Sequence, residues 1–282
     1  MSDAALHPLA LEPLLRAAFA EDLGAAGDLT TQATVPDGVS ATASIGVRRD
    51  GVIAGLAVAE AAFRLYDPSV VFTNAVSDGD RVPAGTSLAT VQGPARSLLT
   101  AERTALNLVG RLSGIATATA TMVDAVRGTG ARIVCTRKTT PGLRALEKYA
   151  VRMGGGSNHR YGLYDAVLIK DNHVAVAGGV AEAVRRVEER VGHLVKVEVE
   201  VDSLEQLDVV LGLARVDAVL LDNFSLEDLR TAVQRVGGRL VTEASGGITG
   251  EHVRAVAETG VDLISMGWLT HSAPNLDVGL DL

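Results

Sequence analysis

The chain has 282 residues, 47% apolar and 21% charged, a balance that supports a packed core and excludes a disordered chain. Its formal net charge of -8 argues against a general binder of nucleic acid or anionic membrane. A single cysteine, Cys135, excludes an internal disulfide and a cysteine-rich zinc cage, no apolar run approaches the roughly 20 residues of a membrane span, and residues 1–10 lack the basic-then-apolar order of an export signal, so a cytoplasmic protein is expected.

The first part of the chain reads as an α+β (α/β-sandwich) domain over residues 1–112. Helical periodicity marks 11–22 and 58–65, and extended stretches fall at 41–48, 70–77 and 87–92, divided by turns such as Ser77-Asp-Gly-Asp and Val82-Pro-Ala-Gly. The segment from Asp78 also resembles the hairpin of biotinyl and lipoyl carriers, but those need a lysine at an exposed turn and none lies between residues 1 and 137. A long helix over 98–126, with a break expected at Ser113-Gly114, leads onward.

From residue 131 the pattern becomes regular. Runs rich in Val, Ile and Leu recur at 132–135, 165–170, 195–200, 217–222, 240–245 and 262–267, with helix-like segments at 180–191, 204–213, 226–236 and 253–259. Ser203, Ser225 and Thr249 stand where helix N-caps are wanted. This alternation predicts an α/β architecture whose second domain, 113–270, is an incomplete βα-barrel of about six to seven parallel strands. In Val195–Val201 the valines alternate with Lys196, Glu198 and Glu200. The valine face then packs under helices, and the charged face lines the barrel interior.

Charge is distributed unevenly. Between Ala131 and Asn172 the basic residues are Arg132, Arg137, Lys138, Arg144, Lys148, Arg152, Arg160 and Lys170, against the acids Glu147, Asp165 and Asp171. Arg144, Lys148 and Arg152 have the i, i+4, i+8 spacing of a solvated helix face and are read so. The others call for an anionic ligand. Lys170, Glu200, Asp222 and Ser245-Gly246-Gly247 close successive strands, where barrel enzymes build their sites. Arg137, Lys138, His159, Arg160 and Lys170 suit carboxylates and phosphates. Glu200 and Asp222 suit sugar hydroxyls or Mg²⁺, while Ser245-Gly-Gly ahead of a helix, and Gly267, offer backbone N–H groups to phosphate. A phosphorylated sugar and an acidic co-substrate fit this set, and neither a dinucleotide fingerprint nor a Walker loop is present.

Several segments, in order along nearly the whole chain, resemble the quinolinate phosphoribosyltransferase family. They are Glu21-Asp-Leu-Gly, Gly27-Asp-Leu-Thr-Thr, Ala101-Glu-Arg-Thr-Ala-Leu-Asn, Arg111-Leu-Ser-Gly-Ile-Ala-Thr, Thr136-Arg-Lys-Thr-Thr-Pro-Gly-Leu-Arg and Gly154-Gly-Gly-Ser-Asn-His-Arg. Leu168-Ile-Lys-Asp-Asn-His, Glu198-Val-Glu-Val, Leu221-Asp-Asn-Phe, Glu243-Ala-Ser-Gly-Gly-Ile and Leu269-Thr-His-Ser continue the series. Two places depart from the family pattern: Met153 replaces an expected cysteine, and Met266-Gly-Trp268 replaces smaller residues, so that Trp268 is expected to narrow the phosphate corner.

The resemblance implies a homodimer that takes quinolinate and phosphoribosyl pyrophosphate with Mg²⁺ and releases nicotinate mononucleotide, pyrophosphate and CO₂. It implies that Arg103 is shared across the interface and that residues 271–282 return to the N-terminal domain. It assigns Arg137, Lys138, His159 and Arg160 to the quinolinate carboxylates, and Lys138, Lys170, Ser245, Gly246 and Gly247 to phosphates; Thr136 and Gly267 complete the substrate-binding set. Glu200 and Asp222 take ribose hydroxyls or Mg²⁺, and Lys138, Lys170, Glu200 and Asp222 form the catalytic set. Two alternatives remain at this stage: a same-fold relative associated with molybdenum transport, and a Schiff-base aldolase using Lys170.

Overall fold

The computed structural model describes residues 6–282; residues 1–5 of the expected first domain lie outside the described residues. The described residues form two compact units: residues up to Ala120 with Thr140–Gly155 and Ser272–Leu282, and Thr121–Thr139 with Gly156–His271. In chain order the elements begin with α1 (Pro8–Leu23), α2 (Leu29–Thr34), β1 (Ser40–Val47), β2 (Gly51–Val52), α3 (Leu56–Tyr66), β3 (Val71–Asn74), β4 (Arg81–Val82), β5 (Ser87–Pro94) and α4 (Ala95–Ala125). There follow β6 (Arg132–Val134), α5 (Arg144–Met153), β7 (Val167–Ile169), α6 (Asp171–Ala177), α7 (Val180–Arg190), β8 (Val197–Val201), α8 (Leu204–Leu211), β9 (Ala218–Asp222) and α9 (Leu226–Val236). The chain closes with β10 (Val241–Ser245), α10 (Val253–Ala257), β11 (Leu263–Ser265), α11 (Trp268–His271) and β12 (Val278–Asp281).

The first unit is α+β. Its main sheet runs β12-β1-β5-β3, each pair antiparallel. The chain's last strand therefore seals one side of β1, with Ser44 opposite Asp281 and Val47 opposite Val278. Burial of Ile45, Val47, Leu88 and Val91 beneath this sheet, at roughly 1.5–3 kcal/mol for each large side chain, holds the unit together.

Helix α4 is continuous for 31 residues, so the break expected at Ser113-Gly114 does not occur. A Cβ at Gly114 would lie 2.1 Å from the Pro274 carbonyl oxygen, and one at Gly110 would lie 2.9 Å from that of Leu276. The glycines serve close passage of the returning C-terminal segment, a reason invisible to local propensity. The expected solvated basic face of α5 is also corrected: Lys148 is fully buried, Arg144 and Arg152 are half-buried, and the Arg152 guanidinium stacks 5.6 Å from the centre of the Tyr149 ring. Beside Lys148, the fully buried Glu147 carboxylate accepts from Arg111 at 2.9 Å and from the Thr140 backbone N–H at 3.0 Å. Helical spacing gave a periodicity but not the side of the helix that faces water.

The second unit carries a six-stranded parallel sheet, β6-β11-β10-β9-β8-β7. The strands follow chain order around the sheet except that β11 closes on β6, while β6 and β7 are not paired with each other. On its free side β6 meets only a bridge from Val134 to Ser157. The domain is thus an incomplete βα-barrel. On β8, Val197, Val199 and Val201 are buried while Glu198 and Glu200 alternate with them. Ser203 and Ser225 cap α8 and α9, accepting from the N–H of Gln206 and Asp228. α10 begins three residues later than an N-cap at Thr249 requires, after His252, although the Thr249 carbonyl accepts the Val253 N–H at 3.0 Å.

Candidate active site

Parallel strands deliver their last side chains to one rim, because every strand runs the same way. Glu200 on β8, Asp222 on β9 and Ser245 on β10 fall there, Asp222 directly opposite Ser245 in register. Lys170 follows β7 and opens α6, its backbone N–H donating to the His173 Nδ1 at 2.9 Å. One layer deeper on β8 and β10, two residues earlier in each case, stand Glu198 and Glu243.

A cavity of about 400 Å³ opens at this rim, lined by Thr136, Arg137, Lys138, His159, Arg160, Leu168, Lys170, Glu200, Leu220, Asp222, Glu243, Ser245 and Ser265. A second, of about 430 Å³, shares Thr136, Lys138, Asp222, Ser245 and Ser265 with it and adds Gly246, Gly247, Gly267, Trp268 and His271 among others. All the expected barrel residues therefore line one or both hollows. Arg103 alone belongs to the first unit, where it is exposed and lines a separate cavity with Asp22, Gly27, Asp28 and Thr100.

Local hydrogen bonds fix the cationic wall. In the loop after β6 the Lys138 N–H donates to Thr136 Oγ1 at 3.0 Å, and Thr270 Oγ1 donates to the Lys138 carbonyl at 2.8 Å. Arg160 donates through Nη1 to the Ala166 carbonyl at 3.0 Å, and its Nε, like that of Arg137, is buried without a partner. Among the described residues neither arginine makes an ion pair. Burial, and then the neighbouring Arg137 guanidinium, press Arg160 below the ordinary guanidinium range, against opposing pulls from Asp165 and Glu198. Two like charges held together beside a hollow form a ready anion site.

The carboxylates divide into two groups. At the rim Glu200 pairs with Lys170 at 3.1 Å, and Asp222 Oδ2 accepts from Asn223 Nδ2 at 2.7 Å. Deeper down, Glu198 Oε2 lies 2.9 Å from His159 Nε2, and Glu243 Oε2 lies 3.7 Å from the same nitrogen. His159 Nδ1 accepts the Arg160 backbone N–H at 2.7 Å, which places the ring proton on Nε2, facing Glu198. Both ring nitrogens are thus engaged by the protein in the ligand-free chain, and His159 lines the same cavity as Arg137 and Arg160. Burial, followed by the Glu198 charge, pushes Glu243 up to about 7 against the opposing effects of His159 and Ser265.

The glycine run is shaped by close approach. Gly246 has φ +96°, and a Cβ there would lie 2.2 Å from Asn223 Oδ1. Because α10 begins only at Val253 and has five residues, the expected helix terminus behind Ser245-Gly-Gly is absent, and the backbone turn itself faces the second hollow. Trp268 lines that hollow. The sequence reading assigned no role to Glu243 or Asn223. The polar residue two places before Ser245 on a barrel strand was the available signal for Glu243; for Asn223, held at φ 57°, no local signal existed.

The fold and this rim define a βα-barrel enzyme for anionic substrates. The family profile for the C-terminal domain of quinolinate phosphoribosyl transferase matches residues 115–281, and that for its N-terminal domain matches residues 28–113. The chain is 53% identical over 275 residues, 95% of each protein, to the carboxylating nicotinate-nucleotide pyrophosphorylase of Mycobacterium leprae. It is 44% identical over 277 residues, 98% of this chain and 95% of the relative, to a protein of Bacillus subtilis described as a probable enzyme of the same name. The solved nicotinate-nucleotide pyrophosphorylase of Francisella tularensis superposes with a TM-score of 0.94 at 39% identity, covering 100% of this chain and 99% of that one. The chain belongs to the quinolinate phosphoribosyltransferase family.

Proposed function

We propose that the protein transfers a phosphoribosyl group from phosphoribosyl pyrophosphate to quinolinate and releases nicotinate mononucleotide, pyrophosphate and CO₂, a step of de novo NAD biosynthesis. The observation that carries this reading is the Arg137–Arg160 pair, two neighbouring guanidiniums that make no ion pair among the described residues and line one cavity. Two vicinal carboxylates on a flat ring match two forked cations. Lys138 lines both hollows and would hold charge where the two substrates meet. The backbone at Gly246, Gly247 and Gly267, with Ser245, would receive phosphate oxygens in the second hollow.

The chemistry then follows from placement and charge. The pyridine nitrogen attacks the anomeric carbon as pyrophosphate leaves, and positive charge spreads over the ribose ring, where Glu200 and Asp222 stand to favour it. The pyridinium so formed is its own electron sink for loss of the adjacent carboxylate. Cations on the wall orient a dianion against a polyanion that would otherwise repel it. Glu200 and Asp222 are few, hard oxygen donors, and such a set suits Mg²⁺, which keeps most of its sites for water and phosphate oxygens; bound there, the ion would neutralise departing pyrophosphate.

A homodimer in which Arg103 completes the partner's site is part of this reading, supported by its exposure and by its cavity in the other unit. A cytoplasmic setting is supported by the lone, buried Cys135 and by the lack of any helix, among the described residues, long and apolar enough to cross a membrane. The aldolase alternative is disfavoured by the Lys170–Glu200 ion pair, which engages the amine that would have to attack a carbonyl. The test is incubation of purified protein with quinolinate, phosphoribosyl pyrophosphate and Mg²⁺. Equimolar mononucleotide, pyrophosphate and CO₂ are expected, while a borohydride-trapped aldehyde adduct on Lys170 would favour the aldolase.

A further inference from the structure

The proposed reaction leaves one atom unaccounted for. When the ring carbon beside the nitrogen loses its carboxylate, the bonding electron pair stays on that carbon, and a proton must arrive there before CO₂ is recaptured. Lys138 and Lys170 stand at the rim, and Lys170 is tied to Glu200. Below them lies the trio His159, Glu198 and Glu243, whose ligating atoms fall within 4.8 Å of one another. His159 Nδ1 accepts the Arg160 backbone N–H and Nε2 carries the ring proton toward Glu198, so the imidazole has no lone pair to offer a cation and a metal centre does not suit the trio.

Glu243 is the unusual member. Its residue is 1% exposed, Oε1 has no partner, and its side chain nonetheless lines the cavity. Its neighbours across the barrel are Leu220 on β9, Ser265 on β11, Glu198 on β8 and the His159 imidazole. The Glu198 carboxylate accepts the His159 N–H and stays ionised, so a second ionised carboxylate beside it would be both buried and repelled. Burial therefore keeps a proton on Glu243 in the neutral range.

We propose that Glu243 is the general acid that protonates the ring carbon from which CO₂ departs. The carbon–carboxylate bond breaks, CO₂ leaves neutral, and the electron pair retained on carbon takes the Glu243 proton. Glu243 becomes a carboxylate facing His159 and is reprotonated from water once product leaves. No oxidant or further co-reactant is required. The assignment rests on the proposed function, since it needs a substrate that loses CO₂.

The decisive variant is Glu243→Gln, which keeps shape and neutrality but has no transferable acid proton. Pyrophosphate and CO₂ are measured together, with the released nucleotide identified by mass. In the unaltered protein the two are released in equal amounts. In the variant, CO₂ relative to pyrophosphate is expected to fall at least about tenfold, within the ~10²–10⁴ contributed by general acids, and a dicarboxylate mononucleotide accumulates. Glu243→Asp, which restores an acid proton, recovers part of the ratio. Equal release in Glu243→Gln, at whatever rate, overturns the assignment and marks a structural role. If the variant does not fold, the unaltered protein is given synthetic quinolinate mononucleotide: its decarboxylation should decline as pH rises through about 7, and a flat profile to high pH overturns the proposal. Should the unaltered protein fail to consume quinolinate with phosphoribosyl pyrophosphate at all, the functional reading fails instead.

Discussion

Arg137→Ala separates binding from folding in a way few substitutions do. Arg137 and Arg160 repel each other, a repulsion that Asp165 and Glu198 offset in part at Arg160, so truncating one relieves strain in the ligand-free protein. The half-exposed setting of both residues limits that relief to about 1 kcal/mol or less. Binding moves the other way. Removing one partner of a desolvated, hydrogen-bonded charge pair costs about 2–5 kcal/mol, which raises Kd by roughly 30-fold to several thousand-fold. Titration calorimetry with quinolinate, paired with thermal melts of the ligand-free protein, reads both quantities. The account predicts an unchanged or slightly higher Tm together with a large loss of affinity. Unaltered quinolinate affinity, or a Tm loss matching the affinity loss, would refute the reasoning that these guanidiniums wait for an anion.

Further outcomes concern other parts of the molecule. Glu243 holds its proton to about pH 7 in the folded chain but only to the ordinary glutamate range when unfolded, so stability falls as pH rises between roughly 4.5 and 7. The loss is on the order of 3 kcal/mol, and denaturant titrations of Glu243→Gln should lack that slope. Glu147→Ala strands Arg111 beside a vacated buried site and should destabilise the first unit by about 3–5 kcal/mol, measured by urea midpoint. Gly246→Ala must hold φ +96° with its Cβ against Asn223. It should lower Tm by an amount worth at least about 1 kcal/mol and weaken phosphoribosyl pyrophosphate binding. Arg103→Ala mixed with Lys138→Ala should regain partial activity through hybrid dimers, and no regain would count against a shared site.

The barrel was legible because its signals are local and repeated: short β-branched runs, helical periodicity and serine caps recur, and the alternation on β8 identifies the charged interior face. Rim residues were legible for the same reason, since each stands at a strand end. What escaped depends on contacts between segments far apart in sequence. Continuity of α4 through Gly114 is set by the passage of Pro274, and the burial of Lys148 is set by which side of α5 faces inward. The hydrogen bonds that hold the His159 ring have the same origin. Its ring nitrogens are taken by Glu198 and by the next residue's backbone, and composition or spacing cannot show where an imidazole points. Glu243 carried a residue type suited to acid chemistry, but only burial and the nearness of Glu198 make it a proton holder.

The most direct test of the central claim compares quinolinate with nicotinate, which lacks the second carboxylate, as acceptors in the presence of phosphoribosyl pyrophosphate and Mg²⁺. A wall built for two carboxylates predicts kcat/KM for quinolinate higher by at least about 30-fold, the value of one desolvated charge pair. Equal use of the two acceptors, or preference for nicotinate, would contradict the role given to the paired arginines.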